Sequence, residues 1–332
     1  MNKMLGNSDW QRFFGFFLIS SVLALGLVMF LDSLLGDTFI SLVQGAGSSQ
    51  TVTSTVVVGN ATPSISGAVV LNHSTSLVMT ANTTTNVDVN VTIVDNNGCN
   101  DILNGTRTIM IYRSGISSST CLSTASDRNC YRVTAFTATS SCQSNTTIVS
   151  TTTFSVQYFA DATDASSSFA SQCWLATVNV TDSAGATTTA DSAFSEPTCD
   201  LLTLTALNVT TSSINYGTMA ASSTSQSTNQ TATTTNAGNS STTLQLRANS
   251  TLTFGTSSIP TSSQRFSTSS FTWAGTSTAL TDTLATVSGF LLTSPTSTTN
   301  VVRPTYWGIE IPSGLATGTY SGVTLFSALF QP

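Results

Sequence analysis

Hydrophobic and polar positions along this chain follow two rhythms. From Phe13 to Phe30 the run FFGFFLISSVLALGLVMF contains no charge, no proline and no Asn or Gln. Extended to Leu31 it is nineteen residues long. A helix needs about 20 apolar residues to cross a bilayer. Lys3 and Arg12 precede the run, and Asp32 and Asp37 follow it. The positive-inside tendency then puts the N-terminus in the cytoplasm and the bulk of the chain outside. Apolar residues resume at Leu34, Leu35, Phe39, Ile40, Leu42 and Val43, and small residues suited to cleavage come only at Gly45, Ala46 and Gly47. The pattern therefore predicts an uncleaved signal anchor over residues 1–43, with a cleaved signal peptide as the alternative.

After a small-residue linker at 44–52, the rhythm changes to period two, the signature of half-buried strands. Thr53 to Val58 is a strand candidate. In Asn86 to Val94 the residues Val87, Val89, Val91 and Ile93 face one way, with Asp88, Asn90 and Thr92 opposite. Asp95-Asn96-Asn97-Gly98 ends that strand in turn chemistry. Thr106 to Arg113 is the next strand, Gly115 to Cys130 an irregular loop, and Tyr131 to Phe136 and Thr153 to Ala160 further strands. Cys173 to Thr181 predicts Trp174, Ala176, Val178 and Val180 inward, and Thr177, Asn179 and Thr181 outward. Asp182-Ser183-Ala184-Gly185 makes a turn. Leu201 to Thr210 is a last strand or a bridge onward.

Ser222 to Thr243 has low complexity, but threonine favours strands, and Asn236-Ala237-Gly238-Asn239 predicts a hairpin turn within it. Tyr306 to Pro312 puts Trp307, Ile309 and Ile311 on one face. Tyr320 to Phe330 is apolar on both faces, which predicts a central or covered closing strand. The expected fold is all-β: two tandem immunoglobulin-like β-sandwich domains, at 53–205 and 206–332, preceded by one N-terminal hydrophobic helix. Trp174 directly follows Cys173, so the Cys–Trp–Cys spacing of antibody domains is not reproduced and the likeness is one of architecture.

Composition sharpens this picture. Charged residues are 7 % of the chain, against about 25 % in ordinary soluble domains. Ser, Thr and Asn must cover the surface instead. The net charge of −6, with no basic patch, argues against nucleic acid as a partner. Ten acids and four arginines fall within residues 50–205, whereas beyond residue 210 the only acids are Asp282 and Glu310. Acceptor triplets for N-glycosylation start at Asn60, Asn72, Asn82, Asn90, Asn104, Asn145, Asn179, Asn208, Asn229, Asn239 and Asn249. A chain this rich in Asn, Ser and Thr makes most such triplets by chance. Asn90, Asn179 and Asn208 are the preferred candidates, the first two because they fall on polar strand faces.

The six cysteines, Cys99, Cys121, Cys130, Cys142, Cys173 and Cys199, are even in number and all lie in one half of the chain. Behind a membrane-targeting segment they read as three disulfides in an oxidising exterior. No CxxC pair supports zinc. Proximity suggests Cys121 with Cys130 and Cys173 with Cys199.

Catalytic chemistry has little to work with. A serine triad would have to use His73, the only histidine, which sits in a polar turn-like context. Carboxylates gather in two loops, Asp95 and Asp101 in DNNGCND and Asp161 and Asp164 in YFADATDA. Either loop suits calcium better than a glycosidase, although neither has EF-hand spacing, and turn capping is the plainer role. No P-loop or dinucleotide fingerprint occurs. The expectation is no enzyme, no organic cofactor, and calcium as the one plausible ion.

Two resemblances bear on function. The runs INYG, NAGN, WGIEIP and GTYSGVTLF resemble a C-terminal Ig-like domain that recurs in secreted proteins of uncultivated archaea and candidate bacterial phyla. NNGCND, YFADATDA and CWLATVNVTDSAG are similar to its N-terminal companion. That resemblance implies a surface protein and no reaction. The long N-terminal apolar helix before a β-rich head resembles type IV pilins and archaellins. Here, however, Arg12-Phe13-Phe14 replaces their basic-plus-glycine processing site, and the early glutamate of many bacterial pilins is absent. Together they imply a cell-surface structural or adhesive protein, held by residues 13–31 in the membrane. The alternatives are a filament subunit packed on its own copies and a binding module for surface glycans.

Overall fold

A computed structural model describes residues 52–71, 76–136, 142, 145–192 and 199–332. The anchor expected over 1–43, nearly all of the 44–52 linker, Asn72 and His73 lie outside these residues. Among the described residues no helix is long and apolar enough to cross a membrane. The chain divides into two compact units, Met1–Gly59 and Asn60–Pro332. In the first, residues 52–59 form no strand or helix, and Val52, Val56, Val57 and Val58 are 79–93 % exposed. The strand expected at Thr53 to Val58 does not form. No ladder partner pairs with it among the described residues, and β-branched side chains alone do not hold a strand.

The second unit is built from antiparallel sheets. Strands β1 (Ser64–Leu71), β2 (Thr84–Val94), β3 (Thr106–Arg113), β4 (Cys130–Thr134), β5 (Thr147–Gln157), β6 (Trp174–Thr181) and β7 (Thr187–Asp191) make its first part. They form one sheet in the order β1-β2-β5 and another in the order β4-β3-β6-β7. The alternation in β2 does what its pattern predicts: Val87, Val89, Val91 and Ile93 are buried. Phe154 and Val156 of β5 join them, and Ile109, Ile111, Trp174, Ala176, Val178 and Val180 close the core from the other sheet. On the outer face of the β2–β5 pair, side chains bond rung by rung. Thr151 donates to Asn90 (2.7 Å), Thr153 to Asp88 (2.5 Å) and Ser155 to Asn86 (3.1 Å). Such cross-strand pairs replace the charged pairs this surface lacks.

Two short helices interrupt the strands: α1 (Cys99–Asn104) and α2 (Ser118–Ser123), the latter capped by the Ser117 side chain accepting from the Thr120 N–H. The Gly115 to Cys130 stretch is thus partly helical rather than irregular. It covers the outer face of β3 and β6, where Met110, Tyr112, Cys121 and Cys130 form a small second core with Ile116 and Leu175. Thr177, expected to face outward, is consequently buried, with its hydroxyl 2.9 Å from that of Tyr112.

Leu201 is buried in the first core, and the chain then bridges to β8 (Leu207–Val209). Strands β9 (Gln230–Asn236), β10 (Ser241–Phe254), β11 (Ser257–Ile259), β12 (Gln264–Ser267), β13 (Thr278–Ala279), β14 (Ala285–Thr286), β15 (Val302–Ile309) and β16 (Ser321–Gln331) follow. One sheet runs β13-β12-β15-β9-β8; in the other, β10 pairs β11, β14 and β16. The core between them contains Leu244, Leu246, Phe266, Phe290, Leu292 and Trp307. Phe266 and Phe326 flank Trp307 at centroid distances of 5.4 and 5.9 Å.

Two expectations are corrected here. The low-complexity segment does hold a strand, β9, but β9 and β10 do not pair with each other. Asn236 to Asn239 is therefore a buried corner between two sheets instead of a hairpin turn. Asn236 donates through its amide to the carbonyls of Ser240 (2.8 Å), Thr293 (3.0 Å) and Leu292 (3.4 Å), and accepts from the Gly238 N–H. Asn239 reaches back to Leu202 and Leu204 in the bridge. Likewise β16 is not central or covered. Among the described residues it pairs only with β10, and Val323, Leu325 and Leu329 on its outward face are 57, 37 and 41 % exposed.

Candidate metal centre

The carboxylates of Asp95, Asp101 and Asp182 converge at one end of the β1–β7 part, with one oxygen of each within 4.8 Å of the others. Each is positioned by local chain chemistry. Asp95 follows the last residue of β2, and its Oδ1 accepts from the Asn97 N–H at 2.8 Å, an Asx turn. Gly98 takes φ 112°, outside the reach of most side chains, and opens α1. That helix places Asp101 in its first turn.

Asp182 starts the turn from β6 to β7. Its Oδ1 accepts from the Ala186 N–H at 2.8 Å, and its Oδ2 from the Asn60 amide at 2.9 Å. The end of α1 lies directly against this turn, because a Cβ on Gly105 would stand 1.9 Å from the Thr181 carbonyl oxygen. The Ser183 N–H completes the junction by donating to Asp101 Oδ1 at 3.1 Å, and the Ser183 hydroxyl bonds the same oxygen.

Asp95 is 1 % exposed, and its Oδ2 has no hydrogen-bond partner among the described residues. The Asn60 amide, followed by the N–H groups of Ala186, Ala184 and Gly185, holds the Asp182 carboxyl below its ordinary range, against an opposing contribution from burial. Among the described residues no arginine forms an ion pair with any of the three.

The other predicted loop is organised differently. Asp161 is buried between Arg113, at 2.9 Å, and Arg128, and its backbone carbonyl accepts from the Trp174 indole. Asp164 accepts from the Thr203 N–H and hydroxyl at 2.9 and 2.6 Å. Among the described residues, neither joins a third carboxylate in a group like that of Asp95, Asp101 and Asp182. Of these three carboxylates the sequence singles out Asp95 and Asp101, and it shows Asp182 only as part of the DSAG turn. The signal was present: an Asp opening a tight turn at the end of a strong strand.

The six cysteines form Cys99–Cys142, Cys121–Cys130 and Cys173–Cys199, with Cα separations of 5.9, 5.5 and 5.2 Å. Both pairs expected from proximity are among them. Three disulfides indicate an extracellular or otherwise oxidising environment. Asn90 and Asn179 are half-buried and hydrogen-bonded to neighbouring threonines, whereas Asn208 is exposed. Away from these features, a groove of about 450 Å³ is lined by Ile214, Tyr216, Leu252, Ile311, Leu315 and Tyr320. No protein-family model matches the chain, and no curated protein matches it in sequence.

Proposed function

We propose that this chain is a non-enzymatic, extracellular cell-surface protein with a structural or adhesive role, built as two tandem Ig-like sandwiches behind an N-terminal anchor. The observation that carries the reading is a disulfide-knit all-β body whose outward rungs are Ser, Thr and Asn. Such a surface suits an exterior where glycans or neighbouring copies, instead of charge, keep the protein apart from its surroundings. The strand order supports the Ig-like assignment. Its first, second and fifth strands oppose the third, sixth and seventh, as in those sandwiches, with the fourth lying on the other sheet. Asn90, Asn179 and Asn208 are the glycan positions this reading proposes, the surrounding membrane or surface glycans its contacts.

A second reading, a subunit of an extracellular filament, is favoured by β16. Among the described residues β16 is an edge strand, and with Val323, Leu325 and Leu329 outward it offers unpaired backbone and apolar side chains to another copy. Gold labelling and negative-stain microscopy of native cells separate the two. A diffuse surface label supports the coat or adhesin, and ordered fibres carrying the label support the filament. Chain recovered inside cells with free thiols would overturn both.

A further inference from the structure

We propose that Asp95, Asp101 and Asp182 bind one divalent cation of the hard, oxygen-preferring kind typified by calcium, and that the ion ties together the two sheets of the β1–β7 part. Three observations carry this. The first is connectivity. Asp95 follows β2 of one sheet, Asp182 follows β6 of the other, and Asp101 sits on the helix that crosses between them. An ion held by all three would pin the end of the sandwich, close to where Cys99 is already bridged to Cys142.

The second is spacing. Two oxygens bound to one calcium at about 2.3–2.6 Å stand at most about 5 Å apart. The three carboxylates lie inside that span. The donors are all oxygen, with no histidine or cysteine thiolate among them, which selects against zinc and copper. Backbone N–H groups of Asn97, Ser183 and Ala186 each hold one Oδ1, so the carboxylates are oriented before an ion arrives.

The third is the unpaired oxygen. A carboxylate oxygen buried without a partner is costly. The same half of the chain shows how it treats a buried carboxylate otherwise, since Asp161 is clasped by two arginines. Asp95 is buried just as deeply, receives no arginine from among the described residues, and directs its carboxylate into a group of two more. A cation supplies the missing counter-charge and the missing partner for Oδ2 together.

The test uses the purified full-length chain, stripped with chelator and then titrated with calcium or magnesium chloride. Calorimetry is expected to show one calcium per chain, with weaker uptake of magnesium, and the melting temperature is expected to rise with calcium. Asp101→Asn, at a half-buried position on the helix, is expected to weaken binding by at least about tenfold. Asp95→Asn gives a crossing that a purely structural carboxylate would not. In chelator it is expected to melt above the parent chain, because the unpaired charge is gone. In calcium it is expected to melt below it. The proposal is overturned if millimolar calcium gives no saturable uptake, if Asp101→Asn binds as the parent does, or if Asp95→Asn keeps the same rank in both conditions.

Discussion

Asn236→Asp tests the buried corner between β9 and β10 with almost no change in volume. The Asn236 amide is wholly buried and donates to three carbonyls, at 2.8, 3.0 and 3.4 Å. Replacing its NH2 by a carboxylate oxygen removes two N–H donors and turns a negative oxygen toward those carbonyls. Each buried acceptor left without its donor costs about 1–3 kcal/mol. Two such losses amount to about 2–6 kcal/mol, before the added cost of burying an ionised group. Against a total stability of about 5–15 kcal/mol this is a large fraction.

The sign with pH follows from linkage. Burial among carbonyls raises the new carboxyl's folded-state value above its unfolded one. The variant is then weakest at neutral pH and approaches the parent as the pH falls, since the protonated form regains an O–H donor. Denaturant titration of the full-length chain at neutral and mildly acidic pH measures both, with Asn208→Asp at an exposed position as the control. A loss below about 1 kcal/mol at neutral pH would refute the reasoning, because the corner would then not depend on the amide.

Other consequences are equally direct. The three disulfides close sequence separations of 43, 9 and 26 residues. Chain entropy alone then predicts that losing Cys99–Cys142 costs about 4 kcal/mol and losing Cys121–Cys130 about 2.6 kcal/mol. Paired Cys→Ala variants in denaturant give the order, and a reversed order refutes the entropic account. Gly105→Ala is expected to lose about 1–3 kcal/mol, because its methyl group would meet the backbone of Thr181 and Asp182. A neutral result by thermal melting would show that α1 can shift away from the turn. Burial raises the phenol pKa of Tyr131 and Tyr216. Both stay protonated in the folded chain above the unfolded value near 10, so stability is full below about pH 10 and falls above it, by up to about 1.4 kcal/mol per pH unit for each. Phenolate absorbance should accordingly rise late and together with unfolding. Early titration of these two tyrosines would contradict their burial.

Much of the strand inventory was readable because period-two patterning is local. Val87 to Ile93 and Trp174 to Val180 declare their buried face within one segment. The expectation of three disulfides came from an even cysteine count, and two pairs from nearness along the chain. What the sequence could not express was which segment covers which. Thr177 is polar and alternates outward, yet α2 and its neighbouring cysteines bury it. Asn236 to Asn239 has hairpin chemistry, yet its flanking strands enter different sheets. Tyr320 to Phe330 is apolar on both faces, yet β16 keeps one face exposed at a sheet edge. Asp182 joins Asp95 and Asp101 only because Gly105 lets α1 close onto the β6–β7 turn. Local alternation depends on a residue's immediate neighbours and is written in the chain. Pairing, covering and convergence depend on contacts between distant segments, and these the tertiary structure alone decided.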